Sequence, residues 1–219
     1  MQRTILVIDD FLDNAEQLRE AAMGLDYPHR DDRAYHGRNS TRRIFVDGTN
    51  EAVSRLLGEP LEPIDPLHSH ARFRVTLEGE EGRADIHIDQ SYWSGILYLT
   101  PDEFCQGGTD FFRHIPTNSD RMPMDETGVR AQGYDSYEAL HRDVIEKDTK
   151  DRSKWQHVMR VPMRFNRLVL LRPWLYHTAA PGFGDSMANG RLVYLLFFRP
   201  KPRVQPTGIA SGGFVMTGR

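Results

Sequence analysis

Apolar residues fall in short runs along this chain, and their rhythm changes near residue 70. Ile5-Leu6-Val7-Ile8 is continuous and mostly β-branched, which predicts a buried strand over Thr4–Phe11. Leu18, Ala21, Ala22 and Leu25 recur at helical steps, giving a helix over Asn14–Leu25 with Asp13 as its cap. Residues 28–48 read as an Arg-rich loop with a short strand at Arg43–Val46. A second helix, Asn50–Leu57, is stopped by Gly58 and Pro60. From Ala71 onward the elements become strands. Ala71–Leu77 and Arg83–Asp89 alternate, Ser94–Leu99 is apolar, Thr109–Phe112 is short, and strand signals return at Phe165–Leu171. Leu192–Phe198 is apolar throughout, as a central strand is. Such short strands, separated by turn signals, predict a β-sandwich or barrel flanked by helices.

Residues 113–160 interrupt the strands with nine basic and nine acidic residues. Tyr137, Leu140, Val144 and Ile145 give this excursion a helix over Ser136–Lys147. An insertion between core strands is either a wall of a substrate pocket or a solvated excursion. The whole chain, 1–219, reads as one domain: a strand–helix region at 1–70, a core at 71–112 and 161–200, and a Pro/Gly-rich tail at 201–219.

Composition narrows the class. The 28 basic and 31 acidic residues leave a formal charge of −3, which argues against a nucleic-acid or anionic-membrane binder. No apolar run approaches a membrane span. Cys105 is the single cysteine, so an internal disulfide and a four-cysteine zinc site are both excluded. These features suit a soluble protein of a reducing compartment, the cytoplasm.

The sharpest local chemistry is His87-Ile88-Asp89. Residues two apart on a strand point to one side, roughly 7 Å apart at the backbone. An imidazole and a carboxylate so placed can share a metal, although one such tripeptide occurs easily by chance. A third ligand has to come from a distant strand, and His177, beyond Leu168-Val169-Leu170-Leu171 and the turn-like Arg172-Pro173-Trp174, is placed for it. Two histidines and one carboxylate leave three positions of an octahedron open, the pattern of non-haem Fe(II) oxygenases; a structural zinc site wants four protein ligands. Arg191 heads the last apolar strand, where its planar fork suits a carboxylate.

Taken together, these segments resemble the 2-oxoglutarate/Fe(II)-dependent dioxygenase superfamily, prolyl-hydroxylase-like branch. Ile96-Leu97-Tyr98-Leu99-Thr100 followed by Gly107-Gly108-Thr109-Asp110-Phe111 is similar to that branch's "YLN … GGxLxF" stretch. Arg167–Leu171 with His177 is similar to its "GrLvlF … H" segment, and Gly190-Arg191-Leu192-Val193-Tyr194 to its closing strand. The opening Ile8-Asp9-Asp10-Phe11-Leu12 also resembles the family's entry. Two departures stand out: Val193 replaces a frequent hydroxyl residue, and the gap from His177 to Arg191 is long.

The resemblance implies a double-stranded β-helix (a jelly roll, cupin-like). It implies that His87, Asp89 and His177 hold Fe(II), that Arg191 pairs with the distal carboxylate of 2-oxoglutarate, and that Tyr98 donates a hydroxyl to it. It also implies O2 as oxidant. Asp89 favours hydroxylation over halogenation, since halogenating relatives carry a small residue there. The substrate is open between a small molecule and a peptide, as is a homodimer. The alternatives are a jelly-roll protein that binds metal or ligand without turnover, and a metal-assisted hydrolase.

Other signals are weaker. Ile5–Asp10 looks like the first strand of a response-regulator receiver, but no Asp stands near Ala52–Arg55 and the first lysine is Lys147. His68-Ser69-His70 lacks a third ligand and reads as a surface turn or pocket rim; Cys105 reads as structural. Trp93 and Trp174 either wall a substrate pocket or pack the core.

Overall fold

A computed structural model describes residues 3–29 and 34–202. Residues 203–219, most of the expected tail, lie outside that description.

Two antiparallel sheets form a β-sandwich. The larger has the order β1 (Ile5–Ile8), β8 (Leu168–Leu171), β5 (Trp93–Tyr98), β10 (Arg191–Pro200), β4 (Arg72–Thr76) and β2 (Arg38–Asn39), with β3 (Leu61–Pro63) paired to the far end of β10. The smaller has the order β7 (Trp155–Pro162), β6 (Gly108–His114) and β9 (His177–Ala179). Strand alternation divides the side chains between faces. Phe73 and Val75 of β4, Leu97 of β5 and Leu192, Tyr194 and Leu196 of β10 pack under α1 (Ala15–Met23) and α2 (Thr49–Leu57). Tyr98, Val169, Val193 and Leu195 turn the other way, to meet Phe111 and Val161 of the smaller sheet. On these strands of the larger sheet, every second residue thus faces the smaller sheet.

The Gly107-Gly108 pair permits the entry into β6. Gly107 has φ of +63° and Gly108 of +155°, and a Cβ on Gly108 would lie 2.0 Å from the carbonyl oxygen of Val161. On the outer side of the smaller sheet, Phe112, Trp155 and Tyr176 are covered by Val129 of α3 (Glu126–Ala131), Leu140 of α4 (Tyr137–His141), and Val144 and Ile145. The helix expected over Ser136–Lys147 exists, capped by the Ser136 hydroxyl, which accepts from the Ala139 amide at 3.1 Å. Its second half, Arg142–Lys147, is a π-helix.

Four expectations are corrected. Asn14, rather than Asp13, stands at the N-cap of α1, and its side chain makes no capping hydrogen bond. Arg43–Val46 is no strand; β2 forms at Arg38–Asn39 instead. The segment is held piecemeal: Ile44 donates to the Ala71 carbonyl, and Arg43 donates to the carbonyls of His68 and His70. Arg83–Asp89 is not a regular strand either, because successive amides bond to different neighbours. Ala84 donates to Ala34, Ile86 to Thr149, His87 to His177 and Asp89 to Pro173. Finally, Trp155–Arg160, read as part of the excursion, belongs to β7 and pairs with β6.

Candidate metal centre

His87 and His177 meet through reciprocal backbone hydrogen bonds of 3.0 and 3.1 Å, a single antiparallel bridge between an irregular segment and β9. This bridge brings the imidazoles together, with ring centroids 4.6 Å apart. Asp89 completes the group: its carboxylate oxygens lie 3.6 Å from His87 Nε2 and 3.5 Å from His177 Nε2. One donor atom from each of the three falls within 4.8 Å of the others, the only such His/Cys/Asp/Glu cluster among the described residues.

The surroundings fix how these donors point. His87 Nδ1 lies 2.7 Å from the Asp85 carbonyl, and His177 Nδ1 2.7 Å from the Leu175 carbonyl. A carbonyl can only accept, so Nδ1 carries the proton in each ring, leaving the Nε2 lone pair for a metal. Ser94 donates to Asp89 Oδ2 at 2.6 Å. Burial, then the neighbouring His177, pushes the His87 pKa down to about 4, so this ring is neutral. Burial opposes the charge on Asp89, but hydrogen bonding and charge from His177, with help from His87 and Ser94, hold its carboxyl well below the usual range. The Asp89 carboxylate raises the His177 pKa against the effect of burial. Two imidazoles that present Nε2 and one ionised carboxylate form a donor set that fits a divalent transition metal with open positions.

Two connected spaces adjoin the triad. An inner cavity of about 70 Å³ is lined by the triad, Tyr35, Arg74, Thr178 and Arg191. An outer cleft of about 720 Å³ shares His87, Asp89, Tyr35 and Arg74, and runs out past Met122, Met124, Tyr137, Ile145 and Trp174. The excursion therefore contributes a wall to this cleft.

Arg191 is 2% exposed, and its Nε has no hydrogen-bond partner among the described residues. A buried guanidinium without a counterion is costly unless a ligand supplies one. Tyr98 is fully buried; its hydroxyl lies 2.7 Å from Thr109 Oγ1 and its ring 6.0 Å from the Arg191 guanidinium carbon.

Sequence reading missed two side chains here. Tyr35 lies against His87, with ring centroids 4.5 Å apart. Arg74 stands opposite Val193 on the interior face of β4. Its signal was present: Phe73 and Val75 face the helices, so Arg74 faces the other way.

Of the weaker signals, His68 and Ser69 reach the cleft rim, whereas His70 is buried, with Nδ1 2.9 Å from the Phe197 backbone. Trp174 borders the cleft and Trp93 lies in the core under the helices. The Cys105 thiol bonds to the Thr100 carbonyl at 3.3 Å, and burial pushes its pKa up to about 11, which suits an inert thiol.

Residues 1–198 match the model of a family described as "Family of unknown function (DUF6445)". The chain belongs to this family. No curated protein matches this DUF6445 member. Among solved structures it is similar to SnoK, the non-heme alpha ketoglutarate dependent carbocyclase from nogalamycin biosynthesis. Identity is 13% and the TM-score 0.53, over 90% of this chain and 79% of that one. It is also similar to HygX from Streptomyces hygroscopicus with nickel and 2-oxoglutarate bound, at 12% identity and a TM-score of 0.48, over 90% of this chain and 83% of HygX. At such identity the SnoK likeness shows a shared fold and nothing finer, and the HygX score is too low to add to it. Among the described residues, no helix is long and apolar enough to cross a membrane.

Proposed function

We propose that this protein is a non-haem Fe(II) oxygenase that couples the oxidative decarboxylation of 2-oxoglutarate to the hydroxylation of a small-molecule substrate. The observation that carries this reading is the convergence of His87, Asp89 and His177, with neither Nε2 engaged outside the triad among the described residues, in a cavity that also holds Arg191, whose Nε has no hydrogen-bond partner among them. In this reading the sandwich is a double-stranded β-helix, and the chain is a single domain built around it.

His87, Asp89 and His177 would hold the iron. When bound, iron with 2-oxoglutarate and O2 supplies an oxidation of an unactivated C–H bond, yielding succinate and CO2. The protein's own work is orientation and shielding. The carbonyls of Asp85 and Leu175 hold the two imidazole tautomers, and Ser94 turns the Asp89 carboxylate. Arg191 pairs with the distal carboxylate of the cosubstrate. Either hydroxyl of the Tyr98–Thr109 pair can donate. With Thr109 as donor to the phenol oxygen, the Tyr98 O–H is left to donate a hydrogen bond to that same carboxylate. Walls of Ile96, Val193 and Leu195 keep bulk water from the inner cavity.

Anaerobic titration of the protein with Fe(II) and 2-oxoglutarate tests the reading. A weak visible charge-transfer band is expected, and a colourless titration would overturn it. Arg191→Ala is expected to raise the apparent KM for 2-oxoglutarate by about ten- to a hundredfold, the cost of a lost charge-assisted pair. An unchanged KM would move the cosubstrate carboxylate to another residue.

A further inference from the structure

We propose that the substrate is a carboxylic acid with an apolar body, its carboxylate held by Arg74 at the inner end of the outer cleft. This deepens the oxygenase reading and rests on it.

The first support is the bonding of Arg74. Its guanidinium donates from Nε to Asn39 Oδ1 at 2.7 Å and lies 5.4 Å from the Tyr35 ring centroid. Those contacts fix its plane. The two terminal nitrogens have no hydrogen-bond or ion-pair partner among the described residues, and the side chain borders both cavities. An arginine serving only the fold would spend those donors on carbonyls or a carboxylate, as Arg172 does with Glu59 and the carbonyls of Arg3 and Tyr92.

Charge bookkeeping is the second support. A divalent metal with Asp89, 2-oxoglutarate as a dianion and Arg191 sum to zero. Asp85, on the inner wall, is paired with Arg152 at 2.7 Å. Burial lowers the pKa of His36, which is therefore neutral. Among the described residues that line the two cavities, Arg74 is then the surplus charge, and its natural counterion is a monoanion entering from the cleft.

The third support is the cleft lining. Apart from Arg74 and Asp89, it carries no Asp, Glu, Lys or Arg among the described residues, and Met122, Met124, Ile145 and Trp174 supply apolar surface. Methionines adapt to varied shapes, which suits an apolar body of loose outline. A bidentate Arg–carboxylate contact at one end would set which carbon faces the metal.

The test uses the full-length protein loaded with Ni(II) and saturated with 2-oxoglutarate, so that acids cannot enter the cosubstrate site. Phenylpropanoate, naphthylacetate and decanoate are each compared with the matching carboxamide by calorimetry and ligand-observed NMR. At least one acid is expected to bind, about tenfold or more tightly than its amide. Arg74→Gln is expected to erase that preference while leaving the 2-oxoglutarate Kd within about twofold, and Arg74→Lys to restore part of it. Equal binding of acid and amide by the wild-type protein, or no binding of any acid, overturns the proposal without need of a variant. A loss of 2-oxoglutarate binding in Arg74→Gln also overturns it, assigning Arg74 to the cosubstrate. If the wild-type Ni(II) protein fails to bind 2-oxoglutarate, the oxygenase reading itself fails first.

Discussion

Replacing His177 by alanine is expected to abolish metal binding and, with it, all succinate formation. His177 is 3% exposed, its Nδ1 is committed to the Leu175 carbonyl, and its Nε2 faces Asp89. Outside the triad, His70 is engaged with the Phe197 backbone, and His114 lies between Thr117 and Asp148. Losing even an outer partner of a metal ligand typically costs ten- to a hundredfold in affinity, so losing the ligand is expected to exceed about a hundredfold. Equilibrium dialysis against Fe(II) or Ni(II) measures this directly. Circular dichroism separates it from unfolding, since the backbone bridge between residues 87 and 177 does not involve the ring. Metal affinity equal to that of the wild type would remove His177 from the site.

The second large effect is on stability. Trp93 is fully buried among the side chains beneath α1 and α2; its Nε1 donates to Glu59 at 3.3 Å and the Arg172 guanidinium lies 4.0 Å from its ring. Trp93→Ala removes that packing and leaves a cavity, at a cost of about 3–5 kcal/mol. For a chain of this length the thermal midpoint should fall by about 6–20 °C. Metal and 2-oxoglutarate affinities of the folded fraction should stay at wild-type values, because the indole lies on the helix side of the larger sheet. A midpoint unchanged within about two degrees, together with altered 2-oxoglutarate affinity, would place Trp93 at the pocket after all.

The two indoles show what a single strand can and cannot reveal. Alternation in Trp93–Tyr98 separates Trp93 and Leu97 from Ser94, Ile96 and Tyr98, but does not say which side meets the other sheet. Arg74 escaped notice for the same reason: one strand's pattern leaves its second face free to be solvent or interior. Leu168–Leu171 was legible because its apolar run is buried on both faces, whereas β2 and β3 of the same sheet, two and three residues long, were too short to read. β7 was not, because Gln156–Arg160 is exposed at every position and carries no alternation to read. The metal triad was legible in part. His87 and Asp89 announced themselves by spacing, and His177 by its place after an apolar strand. Yet the spacing argument assumed a regular strand at 83–89. The actual convergence comes from one bridge to His177 and from amides bonded to several unrelated neighbours.

That bridge ties together two stretches of chain widely separated in sequence. His87 and Asp89 belong to the loop leading into the larger sheet, whereas His177 sits on an outer strand of the smaller one. A metal clasped by all three would act as a rivet between the halves of the sandwich. Its binding would raise the resistance of the native state to heat by mass action. Chelation would then cost the protein firmness as well as chemistry, with the seam between the two sheets the first place to loosen.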